Sequence, residues 1–115
     1  MYIPDRGDII RVNLNPTIGS EIQGDFRPVL VVSPKRFNTN GLALICPITQ
    51  GNAALSRHHG FYVSLMGLGL NTLGGVAANQ TRTIDWRRRG AKKIETAPQQ
   101  LVEEVQDILN SIIND

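Results

Sequence analysis

The chain has 115 residues, 41% of them hydrophobic, and 12 Lys and Arg against 10 Asp and Glu for a formal net charge of +2. That length suits one domain over residues 1–115 with a single core, and no apolar run approaches the roughly 18 residues of a membrane-crossing helix, so no membrane partner is expected. The start lacks a basic segment followed by an apolar stretch, Cys46 has no second cysteine to pair with, and no His or Cys spacing suits a metal, so a cytoplasmic protein without metal or other cofactor is expected.

Ile9, Ile10, Val12 and Leu14 predict a first strand over residues 9–14, broken by Asn15-Pro16. Residues 29–33 form a second, continuously apolar strand that Pro34 ends. Residues 35–37 suit a short helical turn, and Asn40-Gly41 supplies the positive-φ turn that returns the chain as a third strand over 42–48, antiparallel to the second. Cys46 falls within that apolar run and reads as a buried thiol, not a nucleophile. After a polar crossing at 51–59, alternation over 61–65 predicts another strand. Gly67, Gly69, Gly74 and Gly75 make a loop, 76–84 predicts a strand of unfixed register, and 91–94 closes the sheet. Short strands with varied loops are the pattern of a small barrel. Thr96 suits a helix N-cap, with Gln99 three residues on and Pro98 in the first turn. The helix carries Leu101, Val105, Ile108 and Ile112, flanked by Val102, Leu109 and Ile113, as one apolar stripe that packs on the barrel.

Charge is unevenly spread. Arg82, Arg87, Arg88, Arg89, Lys92 and Lys93 make up six of the 12 basic residues and share their stretch with one acid, Asp85, whereas the terminal helix is acidic. One face is then positive and suits a polyanion or an acidic peptide, unless the segment is simply a solvated loop.

The candidate chemistry lies in the loop between the first two strands, residues 13–26, which contains Glu21 and runs into Arg27-Pro28. RNA carries its own nucleophile, the 2′-OH, so cleavage needs a base, charge stabilisation on the phosphorane and a proton for the leaving 5′-oxygen. Arg27 offers a permanently charged planar fork matched to phosphate oxygens. Glu21 is the candidate base, and the Thr49 hydroxyl can donate to the phosphate or position the attacking oxygen. The structural alternatives are that Arg27 pairs with Glu21 or Asp25 and that Thr49 caps a turn. Gln80 shares a face with Arg82 and is placed to read a base edge, and Arg87 adds a basic contact. His58 and His59, in Ser56-Arg57-His58-His59-Gly60, suit an exposed loop end that contacts RNA or solvent more readily than they suit catalysis. Trp86 either stacks on a base or is buried in the core or at a subunit contact.

Pro4-Asp5-Arg6-Gly7-Asp8-Ile9-Ile10, Asn15-Pro16-Thr17, Gly19-Ser20-Glu21, Arg27-Pro28-Val29-Leu30-Val31-Val32-Ser33-Pro34, Cys46-Pro47-Ile48-Thr49-Gln50 and Ala78-Asn79-Gln80-Thr81-Arg82-Thr83-Ile84-Asp85 follow one another in this order. Together they resemble the MazF/PemK (Kid, ChpB) family of toxin endoribonucleases over nearly the whole chain. The resemblance implies a mainly β fold with a C-terminal helix, an SH3-like small barrel of the CcdB/MazF/Kid-like toxin type. It implies the toxin of a type II toxin-antitoxin system, a homodimer cleaving single-stranded RNA without metal to 2′,3′-cyclic phosphate and 5′-OH ends. It also implies a cognate antitoxin with an acidic, disordered C-terminal segment.

The family places its catalytic Arg and Thr at the positions of Arg27 and Thr49. In Kid-like members an Arg and an Asp in the strand matching residues 78–85 serve as acid and base, and Arg82 and Asp85 are the candidates here. Three residues apart on a strand these two point to opposite faces, so Arg82 is read as an RNA-backbone ligand and Asp85 as an orienter, with the base left between Glu21 and Asp85. The rival readings are a CcdB-like toxin that binds DNA gyrase without catalysis, whose family lacks the Arg27 and Thr49 pair, and a plain RNA-binding barrel.

Overall fold

The computed structural model describes residues 1–16, 19, 21, 22, 24, 26–50 and 60–114. Strands β1 (Asp8–Val12), β2 (Arg27–Val31) and β3 (Leu42–Thr49) come first, with helix α1 (Lys35–Asn38) between the last two. They are followed by β4 (Tyr62–Ser64), β5 (Gly75–Ala77), a 3-10 turn (Ala78–Gln80), β6 (Arg82–Asp85), β7 (Lys92–Thr96) and helix α2 (Gln99–Asn114). The strands pair antiparallel in the order β4-β5-β3-β2-β1-β7, and β6 joins the first half of β3. Just beyond β1, the Asn13 amide donates to the Arg89 carbonyl at 3.0 Å, which brings one side of the sheet back to the turn after β6. The result is the expected small barrel, incompletely closed, with a C-terminal helix.

Period-2 alternation sorts the apolar residues into two layers. Ile10, Val12, Val29, Val31, Ala43, Ile45 and Ile84 fill the inside with Trp86. Their strand neighbours Ile9, Leu30, Cys46 and Ile48 face the other way and meet Leu101, Val102 and Val105 of α2. Because both faces of the central strands are covered, the second strand reads in sequence as unbroken apolar residues. Trp86 is core, its indole N–H donating to the Asn38 carbonyl at 2.8 Å, while Arg87 lies over its ring at 4.8 Å. That burial excludes base stacking by Trp86.

Several boundaries differ from expectation. The second strand starts at Arg27, because its first residues pair with β1, with Val12 opposite Arg27. The stretch 76–84 is not one strand. Residues 42–45 of β3 pair with β6, whereas Ile48 and Thr49 pair with β5, so the partner changes around Pro47. Proline has no amide to give a ladder, so the change falls where a bond is missing anyway. The 3-10 turn fills the resulting gap. Thr96 is not a helix cap: it is the end of β7, opposite Asp8, and α2 begins after Pro98, whose carbonyl accepts from the Leu101 amide at 3.0 Å. The helix stripe packs on the barrel as far as Ile108 and Leu109, but Ile112 and Ile113 are 48% and 75% exposed and run past it. Among the described residues no helix is long and apolar enough to cross a membrane.

Glu95 on β7 pins the Gly-rich loop. Its carboxylate accepts from the Asn71 amide at 3.0 Å and from the Thr72 amide and hydroxyl at 2.7 and 2.5 Å. Desolvation pushes its pKa up, but these donors outweigh that push and hold it below the ordinary carboxylate value. A carboxyl depressed on folding contributes stability that is fully present above its unfolded pKa, about 4.3, and is lost as pH falls through the folded value. The protection of the Asn71 and Thr72 amides, corrected for the intrinsic slowing of exchange in acid, should therefore fall once the pH drops below about 4.3, and Glu95→Ala should show the low protection already at pH 7. Equal protection in wild type and variant would dismiss the pin.

Candidate active site

The register of β2 against β3 decides where Arg27 sits. Val29 lies opposite Pro47, Leu30 opposite Cys46 and Val31 opposite Ile45. Carried two residues further along both strands, that register sets Arg27 across from Thr49, with both side chains on the face of Val29 and Ile45. The pairing of Ile45 with Arg82 puts Arg82 on this face as well. Arg27 and Thr49 thus share one end of β3, and Arg82 lies on the same face further back along it.

Arg27 is half-buried and held by backbone. Its Nη2 donates to the Ile48 carbonyl at 3.0 Å, and its Nε is enclosed without an acceptor among the described residues. No carboxylate among the described residues forms an ion pair with it. Its stem rests on Gly24: a Cβ there would lie 2.5 Å from both Cγ and Cδ of Arg27, at a φ of +146° that side chains rarely adopt. Gly24 is therefore part of the Arg27 site, and the sequence reading did not identify it. Thr49 is held as closely from the other side, since a Cβ on Gly74 would approach the Thr49 carbonyl oxygen to 2.1 Å.

Beside this pair opens a cleft of about 350 Å³, lined by Glu21 and Ile22 from the loop, by Pro47, and by Asn79, Gln80, Thr81 and Arg82. It occupies the gap where β3 changes partners. Glu21, Gln80 and Arg82 are brought together here. Gln80 belongs to the 3-10 turn, and its Oε1 accepts from the Ile22 amide at 2.9 Å. Arg82 Nη1 reaches the Leu14 carbonyl at 3.4 Å. Asn79, Thr81 and Ile22 also line the cleft but were not singled out from sequence. A larger hollow, about 600 Å³, lies under residues 62–74, and no charged side chain among the described residues lines it.

Asp85 and Arg87 stand apart. Asp85 pairs with Leu42, at the opposite end of the eight-residue β3 from Thr49, roughly 20 Å away at strand rise. It faces away from Arg82 and is engaged by the Arg88 amide at 3.0 Å and the Arg88 guanidinium at 3.6 Å. Arg87 lies over Trp86 and reaches the Thr39 carbonyl at 3.4 Å. His58 and His59 lie outside the described residues. Cys46 is fully buried, and burial pushes its thiol up to about 11 against a partly offsetting hydrogen bond with Thr81, so thiolate is scarce at neutral pH.

Residues 5–113 match the model of the PemK-like, MazF-like toxins of type II toxin-antitoxin systems. The chain belongs to this family. It is 44% identical over 110 residues to the endoribonuclease PemK of Escherichia coli, covering 95% of this chain and 81% of that protein. The crystal structure of MazF from Deinococcus radiodurans matches with a TM-score of 0.86 at 35% identity over 100% of both chains. A MazE-MazF structure from the same organism matches at 0.77 and 32% identity, covering 98% of this chain and 97% of that one. The PemK/MazF family expected from the sequence motifs is thus borne out, and a gyrase-binding toxin is not favoured.

Proposed function

We propose that this chain is the endoribonuclease toxin of a type II toxin-antitoxin pair, cleaving single-stranded RNA in the cytoplasm without metal and leaving 2′,3′-cyclic phosphate and 5′-OH ends. The observation that carries the reading is the register that sets Arg27 across from Thr49 on the face of Pro47, which lines a polar cleft, with a guanidinium that no carboxylate among the described residues neutralises. Arg27 stabilises the charge of the phosphorane and Thr49 donates to a phosphate oxygen. Amide and hydroxyl groups of Asn79 and Thr81, with Arg82, offer the donors and acceptors that read an unstacked base. The endoribonuclease name of its PemK relative supports this reading.

Phe26 and Leu73 are 72% and 66% exposed and wall one groove with Arg11 and Pro28, which supports covering by a second copy in a homodimer. The basic residues between 82 and 93 suit an acidic, disordered antitoxin segment, and a MazE-MazF relative has been crystallised as a complex.

Glu21 is the better placed base, since it lines the cleft while Asp85 faces away and holds the turn after β6. Glu21→Gln should lower kcat at least about 100-fold, the small end of general-base contributions. Asp85→Asn should keep kcat nearly intact. The reverse ranking would move the base to Asp85. The function itself is tested by incubating the pure protein with long single-stranded RNA in excess EDTA and mapping the ends beside an Arg27→Ala control. Discrete cuts with cyclic phosphates, lost in the control, are expected. Bound but intact RNA would make the chain a binding barrel.

A further inference from the structure

The loop of residues 13–26 is tied to the segment that follows it across the barrel. At its root, Arg89 Nη1 donates to the carbonyls of Asn13 and Asn15 at 2.9 and 3.0 Å, and Arg82 reaches that of Leu14. On the return limb, Ile22 packs on the inner core and its amide donates to Gln80 Oε1 at 2.9 Å, across 58 residues of sequence. Two residues on, the Gly24 carbonyl accepts from the Leu14 amide at 2.9 Å, and Gly24 N–H meets Asn15 Oδ1 at 3.2 Å. Gly24 is also the residue on which the Arg27 stem rests. A continuous path therefore runs from Gln80 through Ile22 and Gly24 to the guanidinium.

We propose that Gln80 is a positioning residue: by accepting the Ile22 amide, its side-chain carbonyl holds the return limb so that Gly24 keeps Arg27 opposite Thr49. Ile22 is half-buried, and an amide withdrawn from water needs an acceptor. With that acceptor gone, the limb loses its tie to the 3-10 turn, and Gly24, left with its bonds to Leu14 and Asn15, confines the Arg27 stem less closely to one orientation. Transition-state stabilisation by Arg27 depends on that orientation, because a displacement of about 1 Å can cost on the order of 100-fold in rate. RNA affinity, spread over other contacts, changes little. This inference rests on Arg27 acting in RNA cleavage.

Two variants separate the acceptor from the amide donor: Gln80→Met removes both, and Gln80→Glu keeps an acceptor. Steady-state cleavage of a short single-stranded RNA containing one mapped site is measured for each, together with hydrogen exchange of the Arg27 Nε–H by nitrogen-15 NMR. Gln80→Met should lower kcat by about 10- to 100-fold at nearly unchanged KM and speed exchange of the enclosed Nε–H. Gln80→Glu should keep the slow exchange and lose far less kcat, its added charge appearing in KM. Gln80→Ala replaces the methionine variant if that one does not fold. An Arg27 Nε–H that exchanges identically in all variants overturns the proposal, and a raised KM with altered cleavage sequence would then make Gln80 a base reader. Full cleavage by Arg27→Ala would instead defeat the reading of Arg27, while the exchange comparison would still decide whether Gln80 positions it.

Discussion

Arg27→Ala should reduce kcat for RNA cleavage by about 100- to 1000-fold, the 3–4 kcal/mol typical of removing one preorganised charge-stabilising donor. The geometry argues for an effect at this end. Arg27 is fixed through Nη2 to the Ile48 carbonyl and through its stem against Gly24, so it meets developing phosphorane charge without having to reorganise. Stability should change little: the stem loses packing on Gly24, but the enclosed Nε, a donor with no acceptor among the described residues, is removed with it. Arg27→Lys should rescue only part of the rate, because a point charge on a flexible stem cannot reproduce a backbone-held fork. Single-turnover cleavage and thermal melting of the three proteins decide the matter. A variant with wild-type kcat would remove Arg27 from the chemistry.

Much of this site was legible in the sequence because its parts sit at strand ends that local signals mark. Arg27-Pro28 opens an apolar strand and Thr49 closes another, so both could be singled out without coordinates. Their being opposite one another could not, since that depends on a register fixed by both faces of β2 and β3 being buried. Arg82 and Asp85 were separable in advance because strand alternation is a local rule. Pro47 was under-read. A proline inside an apolar run signals a ladder that cannot be continuous, and here it marks the change of partner that opens the cleft. Gly24 left no readable signal, because a glycine in a polar loop looks the same whether it serves a turn or yields space to an arginine three residues on. Trp86 is buried in the inner layer, with its indole N–H satisfied by a carbonyl 48 residues away, and neither partner is visible in any local pattern.

The strongest stability effect should come from Gly74→Ala, which acts on Thr49 from the other side. Gly74 has φ +107°, and an added Cβ would lie 2.1 Å from the Thr49 carbonyl oxygen and 2.9 Å from its carbon. Both are backbone atoms of a central strand and cannot swing aside. Its neighbour Gly75 pairs with Thr49 and with Ser64, so displacement at 74 propagates into β3, β4 and β5 together. Backbone strain and overpacking each cost about 1–3 kcal/mol. The melting temperature should therefore fall by on the order of 10–20 °C. Gly67→Ala is the matched control: its φ is +79°, yet nothing lies within 4 Å of the added carbon, so it carries the backbone cost alone. The difference between the two variants isolates the close approach to Thr49. Cleavage measured well below the melting temperature should also fall in Gly74→Ala and hold in Gly67→Ala, because only the former moves the strand end that faces Arg27. Equal melting temperatures would mean that β3 yields at Thr49, and a position so easily shifted could not hold a hydroxyl in register with the Arg27 fork.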